Sequence, residues 1–572
     1  MAKLVERNSP DGRVGNAGET AAGSTAGPGL RKSLACRAAA VVGLAGVLYR
    51  AILIAVDVPP ANSDEGTAGL AALHIGEGRE WPTFFYGQDY MGTFYSYLAA
   101  PLVQVFGTHW WALRLPALVL YAVFLVLVFR LTRTLYSSWF AVFVTGVMAF
   151  GSDRVVKDQI IGAGGYSDVA TAVAGLMLAS ALLVLRPAKQ RTTLVVWGLL
   201  AGYIVWTHWL ALPYVAAAVL LVAWVGRAGM TIRGVALAVC GFLLGAAPLI
   251  VFNLRLDRPN SFSVLLSLSG ATEPAAWSDR LHGAVIVGLP LSSGLCAPSR
   301  CATWQLWWGP TYLVLLVAAT AIAVAALRRA DDGECRVHAS RLALIAGAAM
   351  TLAAYVASSS SAMTPVESAR YLHYGMVSLP AVLWPLWVGA TALVGRVGSS
   401  VSADDGGIRR RVTGRSRSRA FLAAGCVTLA GVLFAGLSIA TGQLIVHRSR
   451  YAGQADNEQQ LVDSLRTTGV GHVYSGYWTC NRLAYRSREQ VRCAVLDDDL
   501  SPGLDRYRPY RDQVRASARV AYVLPASSAM SDTFARSAPT LGVDVVSRYE
   551  VGGYQVYVCH TRRPPAPVVT DR

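Results

Sequence analysis

Long apolar runs separated by short polar breaks recur along most of this 572-residue chain. A helix that crosses a bilayer needs about 20 apolar residues. Runs of this kind lie near 34–56, 110–131, 138–152, 167–186, 192–207, 209–227, 234–254, 309–328, 341–358, 372–396 and 420–446, which predicts eleven spans. Leu194 to Val225 is the hardest stretch to divide. As one helix it would measure roughly 48 Å against a ~30 Å hydrocarbon core. Thr207, His208 and Pro213 interrupt its middle, so two short helices with an outer turn are expected. Beyond 446 the pattern changes. Asp456 to Leu465 has amphipathic spacing, while His472 to Tyr477, Arg519 to Leu524 and Tyr554 to Cys559 read as short strands. The chain is thus expected to be a polytopic α-helical membrane protein over 34–446 with a small α/β domain over 447–572.

Charge in the breaks sets the expected orientation. With the N-terminus in the cytoplasm, the inner segments carry Arg31, Lys32 and Arg37, then Arg130 and Arg133, then Arg186, Lys189 and Arg191. Arg227 and Arg233 follow, then Arg328, Arg329, Arg336 and Arg341, and a last cluster of Arg396, Arg409 to Arg411, Arg415, Arg417 and Arg419. A single span over 194–225 would put every later cluster outside, against the positive-inside rule. The C-terminal domain is therefore expected to be extracytoplasmic. Composition agrees, with 54% hydrophobic and 15% charged residues and a mean hydropathy of +0.41. The net charge of +17 is dispersed among these breaks and does not line a groove, which excludes nucleic acid as a partner. Residues 1–33, rich in Gly, Ala, Ser and Thr, read as a disordered cytoplasmic tail. The run from Leu34 is too long for a signal-peptide core and reads as a retained span.

Four segments then face outward: 57–109, 152–167, 255–308 and the tail from about 447. The first opens on Asn62-Ser-Asp-Glu-Gly66, whose Asp64 and Glu65 follow the first span directly. A carboxylate at a membrane surface is costly to desolvate and usually has a task, although both acids could simply cap the next helix. Asp89 is a second acid there, or else a solvated turn residue. Thr93 to Phe106, aromatic and broken by Pro101, suits a helix lying in the interface. Arg154, Lys157 and Arg370 are the outer cations nearest span ends; they could contact a phosphate or snorkel. His208 and Tyr166 could touch substrate, or be a packed histidine and an interfacial anchor; His74 reads as structural. The largest interhelical outer loop, 255–308, has few acids beyond Asp257, Glu273 and Asp279. Five of nine cysteines are outside, and Cys296–Cys301 and Cys480–Cys493 are the sequence-local disulfide candidates, with free thiols the alternative. The Cys296/Cys301 spacing lacks the second pair or histidines of a zinc site, and no other metal-ligand cluster stands out.

Several segments together carry a resemblance. The acidic Asp64-Glu65 loop comes first, followed by Gly162-Ala-Gly-Gly-Tyr166 and by Gly202-Tyr-Ile-Val-Trp-Thr-His-Trp209. Arg370-Tyr-Leu372 precedes a span; Tyr474-Ser-Gly-Tyr-Trp478 and Asn481-Arg-Leu-Ala-Tyr485 open the outer domain. In this order they resemble the GT-C superfamily of integral-membrane glycosyltransferases. The likeness is to the branch of protein O-mannosyltransferases, the lipid A aminoarabinose transferase and the Rgt-type lipopolysaccharide core transferases, and it covers about 34–560. It implies transfer of a sugar from a polyprenyl-phosphate donor, on the outer face, to a protein, lipid or glycan acceptor. Asp64 would then be the base of an inverting transfer, with Glu65 orienting the acceptor or holding the loop. Arg370, beside Tyr371 and His373, becomes the first choice for the leaving phosphate, ahead of Arg154 and Lys157. Asp89, Tyr166, His208 and Tyr371 would line the substrate. No cofactor is firmly implied; some relatives use a divalent metal ion. The main competing reading is a lipid-linked sugar flippase, but no inverted repeat and essentially no acids within the spans support it. An O-antigen-type polymerase or ligase and a degenerate scaffold are further alternatives.

Overall fold

The computed structural model describes residues 28–162, 164–186, 190–227, 230–255, 260–264, 275–298, 301–401, 414–538 and 541–561. Most of the expected N-terminal tail, Lys189, Asp257, Glu273 and Arg409 to Arg411 lie outside them. A helix occurs at each of the eleven expected places. These are α1 (Pro28–Ala55), α4 (Trp110–Leu135), α5 (Ser138–Ala149), α7 (Ser167–Leu185), α8 (Arg191–Thr207), α9 (Leu212–Val225), α10 (Ile232–Asn253), α11 (Trp308–Leu327), α12 (Asp332–Ala357), α13 (Leu379–Val401) and α14 (Gly414–Val446). Two more, α2 (Ser63–Gly76) and α3 (Phe94–Phe106), occupy the segment between α1 and α4, and α6 (Asp153–Ile160) follows α5.

Among the described residues eight helices are long and apolar enough to cross a membrane, or nine if α5 and α6 are one bent span. Over the expected span 138–152, α5 ends at Ala149 and the chain turns 97° into the polar α6. A buried arginine bridges the turn. Arg50 of α1 donates to the carbonyls of Met148 (3.3 Å) and Ala149 (3.0 Å), and to Gln159 of α6 at 2.8 and 2.5 Å. With the Tyr121 hydroxyl, which donates to Met148 at 2.9 Å, it satisfies this buried helix end. The 194–225 stretch does break, at His208, and a short 3-10 turn at Trp209–Ala211 leads into α9.

Helices α8 and α10 touch backbone to backbone. A Cβ on Gly198 would lie 2.0 Å from the Ala238 carbonyl oxygen, and one on Gly202 2.1 Å from that of Phe242. Gly241 and Gly245 stand as close to α8 in return. This is the small-xxx-small packing that lets helices associate where lipid removes the hydrophobic incentive.

The C-terminal domain begins with α15 (Ser449–Thr467) and builds a five-stranded sheet in the order β2-β1-β3-β5-β4. Strands β1 (His472–Gly476), β2 (Arg492–Leu496) and β3 (Arg519–Pro525) are parallel, and β4 (Val543–Val551) and β5 (Tyr554–Thr561) complete it antiparallel. Helix α16 (Tyr477–Arg486) joins β1 to β2 and lies on α2.

Gly202→Leu should force α8 and α10 apart at a cost of about 3 kcal/mol, the upper range for overpacking. The expected outcome is a clear fall in melting temperature in detergent, with Gly202→Ala falling between it and the wild type.

Candidate active site around Asp64

Helix α2 starts at the acidic pair, and Asn62 caps it by accepting the Glu65 N–H at 2.8 Å. Neither acid is therefore needed as the cap, and adjacent residues on a helix point about 100° apart. Glu65 turns inward. Both its oxygens take bonds from Arg114 of α4, at 2.8 and 2.7 Å, and both side chains are 0% exposed. The Gly162 N–H approaches the same carboxylate at 3.5 Å. Glu65 is thus enclosed and paired with Arg114, away from solvent.

Asp64 turns the other way, with its side chain 13% exposed. The Tyr477 hydroxyl donates to Oδ1 at 2.6 Å, and the Arg506 guanidinium stands 3.6 Å from the same oxygen. Arg506 Nε also donates to the Tyr477 oxygen at 2.9 Å. Burial first, then the Asp64 charge, push the pKa of the Tyr477 phenol well above its ordinary value, so it keeps its proton and acts as a donor. Oδ2 faces Arg370, whose guanidinium is 3.9 Å away.

Arg370 belongs to the 3-10 segment Ala369–Ser378 that leads into α13. Its guanidinium lies 5.9 Å from the rings of both Tyr166 and Tyr371. Its Nε, though buried, has no hydrogen-bond partner among the described residues. Tyr166 is delivered by two left-handed glycines, Gly164 and Gly165, with φ of +76° and +75°. A Cβ on Gly165 would stand 2.5 Å from His208, so the turn fits only glycine. The Tyr166 and His208 rings are 5.2 Å apart. Asp64, Arg370, Tyr166 and Tyr371 are thus brought together, with His208 behind Tyr166.

The other candidates stand apart. Arg154 is engaged by Asp158 at 3.1 Å on α6, and Lys157 is half-buried on that helix. Helix α6 does pack against the Arg370 segment. Asp89 is half-buried in the loop closed by the Phe84–Gly92 bridge, with no side-chain hydrogen bond or ion pair among the described residues.

The C-terminal domain is docked along α2. A Cβ on Gly66 would meet the Arg482 backbone nitrogen at 2.6 Å, and one on Gly69 the Tyr485 ring at 2.7 Å. Asn481 Nδ2 donates to Thr67 Oγ1 at 2.7 Å. At the far end of α2, buried His74 sits between the Tyr86 hydroxyl (2.7 Å) and Glu489 (2.9 Å). Burial opposes the Glu489 charge, but hydrogen bonds from His74, Arg79 and Tyr510 outweigh it and bring the carboxyl down to about 2. Disulfides join Cys480 to Cys493, tying α16 to β2, and Cys296 to Cys301.

A second feature is an apolar cavity of about 720 Å³ between α4, α7, α8 and α10, lined by Leu127, Leu178, Leu199 and Trp206 among others. Asp168, two residues beyond Tyr166, lies at one end and accepts the Tyr203 hydroxyl at 2.5 Å. No three His, Cys, Asp or Glu side chains converge as a metal would require among the described residues.

The bundle, with its paired acids on a loop helix beneath a small sheet domain, has the fold of the GT-C membrane glycosyltransferases. It is similar to ArnT from Cupriavidus metallidurans bound to undecaprenyl phosphate, with a TM-score of 0.53 and 14% identity over 93% of this chain and 98% of that one. The apo form of ArnT gives 0.51 and 14% over 90% and 97%. At this identity the likeness is one of fold. No family model and no curated protein matches the sequence.

Arg114, Arg506 and Tyr477 were not among the sequence candidates. Tyr477 lay within a motif that had been singled out; Arg506 and Arg114 carry no local signal. Glu65→Gln should cost about 3 kcal/mol by leaving Arg114 buried and unpaired, and Glu65→Leu with Arg114→Met should recover most of it, read as melting temperature. Because the Glu489 carboxyl is depressed from 4.5 to about 2, its stabilisation is complete above pH 4.5 and lost as pH falls toward 2. The stability difference between wild type and Glu489→Gln should therefore vanish across that window in a pH series of melting curves.

Proposed function

We propose that this protein is a glycosyltransferase that moves a sugar from a polyprenyl-phosphate donor to an acceptor hydroxyl on the extracytoplasmic face, with inversion at the anomeric carbon. One observation carries the reading: a carboxylate oxygen, Asp64 Oδ2, faces the guanidinium of Arg370, whose buried Nε has no hydrogen-bond partner among the described residues. A base and a cation set side by side are what the transfer needs. Asp64 takes the proton of the acceptor hydroxyl, and the acceptor oxygen bonds to the anomeric carbon. The bond from that carbon to the phosphate oxygen breaks, and its electron pair leaves with the polyprenyl phosphate. Arg370 neutralises that phosphate, with Arg154 and Lys157 of α6 as further cations behind it. Tyr166 and Tyr371 flank Arg370 and pack on the sugar; His208 and Asp89 contribute at the edge.

The lipid part of the donor has a matching feature. The similar ArnT structure is bound to undecaprenyl phosphate, and the apolar cavity here, about 720 Å³, has the size and lining for an isoprenoid chain. The basic breaks along the chain favour a cytoplasmic N-terminus, which sets Asp64 and the C-terminal domain outside.

The test is turnover by purified protein in lipid, with radiolabelled polyprenyl-phosphate mannose and arabinose and a crude envelope extract as acceptor. Asp64→Asn should lose more than about a hundredfold. Transfer that survives the substitution would remove Asp64 as the base, and donor movement across the bilayer without transfer would point to a flippase.

A further inference from the structure

We propose that the C-terminal domain sets the working orientation of Asp64: Tyr477, backed by Arg506, is a positioning pair that holds Oδ1 and leaves Oδ2 as the oxygen open to the acceptor hydroxyl. The inference deepens the preceding reading and rests on it.

The terminal torsion of an aspartate is broad and roughly two-fold, so a carboxylate without an anchor presents either oxygen. Here the two oxygens have different surroundings. Oδ1 has the Tyr477 hydroxyl at 2.6 Å and Arg506 at 3.6 Å, both from the C-terminal domain. Among the described residues Oδ2 has only Arg370, at 3.9 Å, beyond ordinary hydrogen-bond length. Glu65, the neighbouring acid, is turned away into its pair with Arg114.

The pair is itself held from both sides. Tyr477 is the first residue of α16, which cannot slide along α2 because Gly66 brings the two backbones into contact. Arg506 lies 5.7 Å from the Phe85 ring and 5.6 Å from that of Tyr477. The loop 84–92 closes over it so tightly that a Cβ on Gly87 would stand 3.1 Å from the Arg506 Cα. The acidic loop and the C-terminal domain thus clasp the same arginine. A misplacement of about 1 Å in a reacting group can cost on the order of a hundredfold in rate, so this clasp bears directly on kcat.

Tyr477→Phe removes the donor and keeps the ring. With the same labelled donors, kcat should fall about 10- to 100-fold while the donor KM stays within about twofold. Arg506→Gln should behave alike, with Arg506→Lys between it and wild type. A second readout needs no turnover. Labelling of Asp64 by a water-soluble carbodiimide and an amine, followed by peptide mass spectrometry, should be several-fold faster in Tyr477→Phe and Arg506→Gln at one fixed pH. Unchanged melting temperatures confirm that both variants fold. If Asp64→Asn is inactive but kcat and labelling are unchanged in both variants, the positioning pair is refuted and the proposed function stands. If Asp64→Asn remains active, the proposed function falls, and this inference with it.

Discussion

The pair of Glu65 and Arg114 governs the geometry of everything above it. Buried ion pairs are poor sources of net stability, because desolvation offsets most of the attraction. What this one supplies is direction. Two bonds from a guanidinium on α4 fix the rotation of α2 about its axis. With that rotation fixed, the residue before Glu65 is turned from the bundle toward the C-terminal domain. Asp64 owes its place to its neighbour's bonds as much as to its own.

The rest of the site follows from close backbone contacts. The glycines of α8 and α10 draw those helices together, and Gly66 and Gly69 do the same for α2 and α16. Gly164 and Gly165 swing Tyr166 under Arg370. In each case the missing Cβ lets a neighbouring backbone or ring come close, and the polar groups then complete their bonding across sequence-distant elements.

Much of the fold was legible in the sequence, because apolar length and basic breaks are local properties. The helices, the break at His208 and the change to an α/β tail could all be read from them. The 97° turn after Ala149 could not, since the groups that bond across it, Arg50 and Tyr121, lie far earlier in the chain. Strand β1, equally short, alternates between the two faces, whereas β2 is buried at four consecutive residues and shows no alternation to read, and β4 lies at the sheet edge with an exposed, charged face. The site was half legible. Asp64 and Arg370 stood out by type and position. The different fates of Asp64 and Glu65 depended on Arg114, and the second half of the Asp64 cradle on Arg506, and neither pairing leaves a trace in local pattern.

The hydroxyl that meets Asp64 lies 413 residues further along the chain. This separation bears on biosynthesis. The acid is among the first residues made, yet its cradle is assembled only after every helix of the bundle has been laid down and α16 has folded. A nascent or prematurely terminated chain therefore carries the acid but not the groups that orient it. On the proposed function, order of synthesis thus sets when the acid can be aimed at a substrate.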